Sequence, residues 1–179
     1  AANDYEPAIL KKAQCFAELG IVLSEFGTRR RYSFDVQDRV VELFKDYPGL
    51  QFQGTSNVYL AMKYDLTPIG THPHEWFMYH GAHFGYRKAN EVAMENWVDV
   101  YEGDLGIALT DTYTTDNFFK SFNTKYAKLF DGVRWDSGDP LVFTDKVLAH
   151  YTKNRIDPRI KTVVYSDSLD LERVEQIHN

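Results

Sequence analysis

The chain has 179 residues, 44% of them hydrophobic and 15% aromatic, and a formal net charge of −6. That composition excludes a disordered chain and supplies enough apolar side chains for a sizeable core. The net acidity argues against nonspecific binding to nucleic acid or anionic membranes, although a local basic pocket for a small anion fits inside an acidic protein.

The elements alternate along the chain. "PAILKKAQCFAELG" has helical periodicity, with Gly20 as its stop. The short apolar run "GIVL" follows as a strand and ends in "SEFGTRRR". "SFDVQDRVVELFKDYPG" reads as a helix with Ser33 as N-cap, stopped at Pro48-Gly49. The strand "LQFQ" ends in "GTSN" and leads into "VYLAMKY". "TPIG" ends in "GTHPHEW", and "NEVAMENWVDVYEG" is the next helix-like segment. "GIAL" ends in "TDTYTTD", followed by one helix over "DNFFKSFNTKYAKLF". "DGVRW" ends in "WDSGDP" before the helix "DPLVFTDKVLAHYTKN", and "KTVVY" ends in "SDSLD" before "SLDLERVEQIH".

Short strands alternating with helices indicate parallel βα units. Each strand end carries groups able to do chemistry. In a (β/α) barrel the active site is assembled at that edge, and an open doubly wound sheet also binds ligands there. Because every end carries functional groups, the reading is α/β, with parallel βα units forming most of an irregular, incomplete (β/α) barrel. Residues 1–179 are taken as a single partial barrel domain. Six strands are visible where a closed barrel has eight, so the expectation is a piece of a longer polypeptide.

Each motif also has a plain reading. "RRR" (Arg29 to Arg31) is a solvated turn or a clamp for phosphate or carboxylate. In "GTSN", Ser56 caps a helix or helps its N-terminus attract an anion. His72 and His74, two apart, would share a face of a strand and begin a zinc site, but His80, His83 and His150 add no ligand spacing. Asp139 and Pro140 form a helix start that does not need Asp136 or Ser137. The single cysteine, Cys15, cannot form an internal disulfide, which suits a reducing, cytoplasmic location. No apolar run approaches the roughly 18 residues of a membrane span, and "AANDYEPAIL" lacks a signal-peptide layout.

Together, "EFGTRRR", "GTSN", "GT-x-x-HEW", "LTDT…TD", "VR-x-DSGDP" and "SDSL" resemble the nicotinate phosphoribosyltransferases, type II phosphoribosyltransferases, in order and spacing from about Leu23 to Asp170. The resemblance implies transfer of phosphoribosyl from phosphoribosyl pyrophosphate (PRPP) to nicotinate, with Mg²⁺, coupled to ATP hydrolysis in a homodimer with shared sites. It implies that His74 is transiently phosphorylated, with Glu75 orienting it; His72 receives no role. It likewise implies that Phe26 stacks on the pyridine ring and Arg29 sits beside the ring and phosphates. Ser56 falls at a selectivity position, where the amide-using relative carries an acid. Asp111 and Asp136 are expected near the ribose and the metal-bound pyrophosphate, and Arg134 on a phosphate. Thr55, Ser137 and Asp167 complete the substrate-binding set, with no residue assigned firmly to metal. The family's N-terminal domain and its last barrel units are expected outside residues 1–179, and the piece alone is expected to be inactive. The rival readings are a quinolinate-using or nicotinamide-using transferase, or a non-catalytic barrel fragment serving as a binding module. "GT-x-x-HEW" weighs against the first and Ser56 against the second.

Overall fold

The computed structural model describes residues 5–179. Where the sequence reading has one domain over 1–179, the described residues pack as two compact units. One runs through Gly70 and takes in Leu171–Asn179; the other is Thr71–Asp170.

In the first unit, α1 (Glu6–Glu18) carries Pro7 in its first turn and buries Ile9 and Ala13, four residues apart on one face. Its end is set by Gly20 at φ +66: Gly20 N–H donates to the Ala17 carbonyl and Ile21 N–H to that of Phe16. This Schellman closure occupies Gly20 and Ile21. The strand expected over "GIVL" therefore starts later, as β1 (Val22–Glu25). Helix α2 (Phe34–Lys45) is capped as anticipated, the Ser33 hydroxyl accepting from Val36 N–H at 3.2 Å. It buries Gln37, Val41 and Phe44, again one helical face. Next come β2 (Gln51–Thr55), α3 (Val58–Tyr64) and a two-residue β3 (Thr67–Pro68). The sheet is parallel, ordered β1-β2-β3, with a register irregularity between Leu23 and Ser24. Ile9, Ala13 and Phe44 form the buried core beneath Leu23, Leu43 and Phe52.

The second unit opens with α4 (His74–Phe84) and α5 (Ala89–Tyr101), then β4 (Ile107–Leu109). The single helix expected over "DNFFKSFNTKYAKLF" is two, α6 (Thr115–Ser121) and α7 (Thr124–Leu129). The break is local chemistry. Asn123 takes an extended conformation, and its side-chain oxygen accepts from Lys125 and Tyr126 N–H, starting a new helix. The bend lets Phe118, Phe122, Tyr126 and Phe130 all enter the core. After β5 (Gly132–Trp135), α8 (Pro140–Lys153) is capped by Asp139 with Pro140 at its first position, as read. A 3₁₀ turn, Pro158–Ile160, precedes β6 (Thr162–Tyr165). Here too the sheet is parallel, in the order β4-β5-β6. The chain returns to the first unit as α9 (Leu171–His178).

Both sheets thus run parallel in chain order. Within each, all strands point their C-terminal ends to one edge, where the polar turns begin. No helix among the described residues is long and apolar enough to cross a membrane.

Candidate active site

In the first unit, the turns after β1 and β2 are joined by a carboxylate. Glu25 ends β1, and one of its oxygens accepts from Gly27 N–H. The other accepts from the Thr55 hydroxyl at 2.6 Å and from the Gln37 amide at 3.0 Å. Thr55 is fully buried, and its hydroxyl also accepts from Asn57 N–H at 3.0 Å, so the group is committed inside the fold. Around this knot, Phe26 is 41% exposed and Arg29 is exposed. Ser56 N–H continues the sheet by donating to the Glu25 carbonyl at 2.8 Å. The cap of α3 is not Ser56 but Asn57, whose side chain accepts from Leu60 N–H. The plain reading of Ser56 as a helix cap is therefore overturned.

In the second unit, His74 begins α4, just after Pro73. Its Nε2 lies 3.1 Å from Asp111 Oδ1 and 3.6 Å from Asp136 Oδ2. Asp111 follows β4 and Asp136 follows β5, so the parallel sheet delivers both carboxylates from one edge. Each acid is held from behind. The Ser137 hydroxyl donates to Asp111 Oδ2 at 2.5 Å. Asp136 Oδ1 accepts from Arg134 at 2.7 Å and from the Ser166 hydroxyl. Arg134 also donates to Ser166 at 2.8 Å and to the Thr71 hydroxyl at 2.9 Å. The Arg134–Asp136 pair is only 17% exposed at each partner, so the ion pair is shielded from water and fixed in direction. Asp167, exposed, takes a left-handed φ of 74 in the turn after β6.

A cavity of about 510 Å³ leads from His74 along α4, lined also by Met78, Ala82, Tyr86, Thr112 and Tyr113. His72 does not join the site. It is fully buried, with ring contacts to Trp97 at 4.2 Å and to Phe77 and Phe130 at 5.5 Å. Burial pushes its pKa down to about 3. Because residues 71–73 are loop and His74 is helical, the shared strand face on which a two-histidine zinc site would depend does not exist.

The family model for nicotinate phosphoribosyltransferase matches residues 21–179. The chain belongs to the nicotinate phosphoribosyltransferase family. It is 60% identical over 166 residues to the nicotinate phosphoribosyltransferase of Chromohalobacter salexigens, covering 93% of this chain and 43% of that one. With the Methanosarcina mazei enzyme it shares 51% over 168 residues, covering 94% of this chain and 41% of the other. The crystal structure of nicotinate phosphoribosyltransferase from Porphyromonas gingivalis superimposes with a TM-score of 0.94 at 48% identity, over 98% of this chain and 45% of that one. The chain spans less than half the length of these relatives.

Measured against the motifs of a nicotinate phosphoribosyltransferase, His74, Asp111, Asp136, Arg134 and Ser137 come together in the second unit, while Phe26, Arg29, Thr55 and Ser56 lie on neighbouring strand ends of the first. The carboxylates beside the imidazole are Asp111 and Asp136; Glu75 is the acid in the first turn of α4. Sequence reasoning missed Glu25, Gln37, Thr71, Tyr113 and Ser166. Glu25 and Ser166 sit inside motifs already quoted, and their position at strand ends was the signal. Gln37 lies near the start of α2, and only its place on the buried face of that helix marks it.

Proposed function

We propose that the full-length protein carrying this chain is a nicotinate phosphoribosyltransferase of NAD salvage. It would transfer phosphoribosyl from PRPP to nicotinate, giving nicotinate mononucleotide and pyrophosphate, and couple this to ATP hydrolysis through a phosphohistidine at His74. The observation that carries the reading is the imidazole of His74 set against two anchored carboxylates, in a chain of this family.

The geometry suits histidine as nucleophile. An ionised carboxylate only accepts, so Nε2 facing Asp111 bears the proton and Nδ1 keeps the lone pair. Attack of Nδ1 on the γ-phosphorus of ATP forms the N–P bond and breaks the bond to ADP. The ring gains positive charge, which Asp111 stabilises. Ser137 prevents that carboxylate from turning away. In the glycosyl step the ribose develops oxocarbenium character, and the same carboxylates favour it. Arg134, aligned by three hydrogen bonds, has further N–H groups for a phosphate.

Mg²⁺ fits the donor set. Candidate ligand atoms of His74, Asp111 and Asp136 lie within 4.8 Å of one another, and the two carboxylates are the hard oxygen donors Mg²⁺ prefers. Asp111 and Asp136 would hold the ion, which supplies positive charge beside phosphate oxygens. Phe26 and Arg29 would receive the pyridine ring and Ser56 its carboxylate. Family membership supports an irregular barrel, a homodimer and a cytoplasmic setting for the complete protein.

The test uses the full-length protein with γ-labelled ATP. The wild type is expected to take up acid-labile phosphate and to consume nicotinate only with PRPP. His74→Ala should lose the label and ATP turnover yet keep some ATP-independent transfer. Acid-labile label on His74→Ala, or no PRPP-dependent nicotinate consumption by the wild type, overturns the reading.

A further inference from the structure

Gln37 is 3% exposed and makes four side-chain hydrogen bonds. Its amide nitrogen donates to Glu25 Oε2 at 3.0 Å and to the Thr28 hydroxyl at 2.9 Å. Its amide oxygen accepts from Arg31 at 2.7 Å and from the Asn57 amide at 3.2 Å. The orientation is forced, because Glu25 can only accept and Arg31 can only donate. Each bond goes to a different piece of backbone: the end of β1, the turn after it, the loop before α2 and the cap of α3.

The Glu25 carboxylate completes the knot. It ties Gly27 N–H, the Thr55 hydroxyl and Gln37 together. Gly27 cannot be replaced freely, since a Cβ there would lie 2.6 Å from Glu25 Oε1. Phe26 and Arg29 are carried by the turn this network grips, and Ser56 lies between its members Thr55 and Asn57.

We propose that Gln37, acting with Glu25, is the positioning residue that holds the Phe26–Arg29 turn in register with the Ser56 turn. A buried helix residue bonded to Glu25, Thr28 and Asn57 thereby sets the spacing of the pyridine-binding groups. Arg31 is consequently a structural member of the "RRR" run, with its guanidinium also 5.3 Å from the Phe34 ring.

The inference rests on the reading that Phe26, Arg29 and Ser56 receive nicotinate, and its test separates the two. In the full-length protein, Gln37→Leu keeps the side chain's bulk and removes every bond. The KM for nicotinate should rise about tenfold, the scale of one or two lost buried hydrogen bonds. The rate of His74 phosphorylation from ATP should stay at the wild-type value, because His74 and its carboxylates share no hydrogen bond with this network. A fold defect alone would lower that phosphorylation rate together with the thermal midpoint, and that pattern overturns the positioning role. So does an unchanged nicotinate KM in a folded Gln37→Leu enzyme. If Gln37→Leu does not fold, Thr28→Val removes one bond from the exposed end of the network, and it must raise the nicotinate KM selectively. Failure of the parent reading shows differently, as a wild type that does not consume nicotinate with PRPP.

Discussion

Two histidines stand two residues apart, and the chain treats them as opposites. His74 reaches two carboxylates from the first turn of α4, while His72 is enclosed by aromatic rings. Spacing alone could not separate them, because a strand would have put both on one face. Serine and asparagine at positions 56 and 57 pose a similar ambiguity, resolved by the hydrogen bond from Leu60 N–H to Asn57. That resolution sharpens a prediction. Ser56→Asp leaves the capping bond of α3 in place, so that helix should stay intact. Its charge, however, would oppose the carboxylate of nicotinate by about 4 kcal/mol at 4 Å and an effective dielectric near 20. In the full-length protein, kcat/KM for nicotinate should fall by orders of magnitude while that for nicotinamide holds or rises slightly. Undiminished nicotinate efficiency in a folded Ser56→Asp enzyme means that selectivity lies elsewhere. Asn57→Ala is the complementary control, expected to cost about 1 kcal/mol of stability through the lost cap.

Most elements could be read in the sequence because their caps and stops are local. Ser33, Asp139 with Pro140, and Gly20 act on their own backbone neighbourhoods and behave as the residue types predict. The failures arise where a side chain answers to distant partners. Gln37 looks like any helix glutamine until α2 is laid on its sheet. Asn123 interrupts an apolar helical pattern because the core takes four aromatic rings once the chain bends. Helix α4 shows the same dependence at Gly81. A Cβ there would collide with the Tyr113 hydroxyl, which donates to the Phe77 carbonyl at 3.3 Å. The contact pins the loop bearing Asp111 onto the helix bearing His74. Gly81→Ala should therefore push the loop away and slow His74 phosphorylation, by up to ~100-fold if the shift approaches 1 Å. Adding Tyr113→Phe removes the colliding oxygen and should restore part of the rate. Because the two side chains share one space, their effects should be non-additive. A double variant as slow as the product of the two single effects would show that the contact does not place Asp111.

At the scale of the whole molecule, the parallel βα order was legible because each strand end is marked by a polar turn. The gathering of the described residues into two compact units was not, since it depends on contacts between remote segments. The aromatic content has one consequence of that kind, the closed ring cage around His72. Neither ring nitrogen of His72 has a hydrogen-bond partner among the described residues, and burial holds its pKa at about 3 against an ordinary 6.5. The unfolded chain thus binds a proton that the folded chain refuses. Between about 3 and 6.5 the unfolded state carries more protons, so stability rises with pH in that window. The contribution is complete above 6.5 and declines as the pH falls, by about 1.4 kcal/mol per unit. His72→Phe keeps an aromatic ring in the cage and removes the titration. Urea unfolding of both proteins at pH 7 and pH 5 should find the wild type losing about 2 kcal/mol more than the variant over that interval. Other groups titrate equally in both proteins and cancel in the comparison. Parallel losses would mean that His72 is protonated inside the folded protein, and that the cage admits the charge.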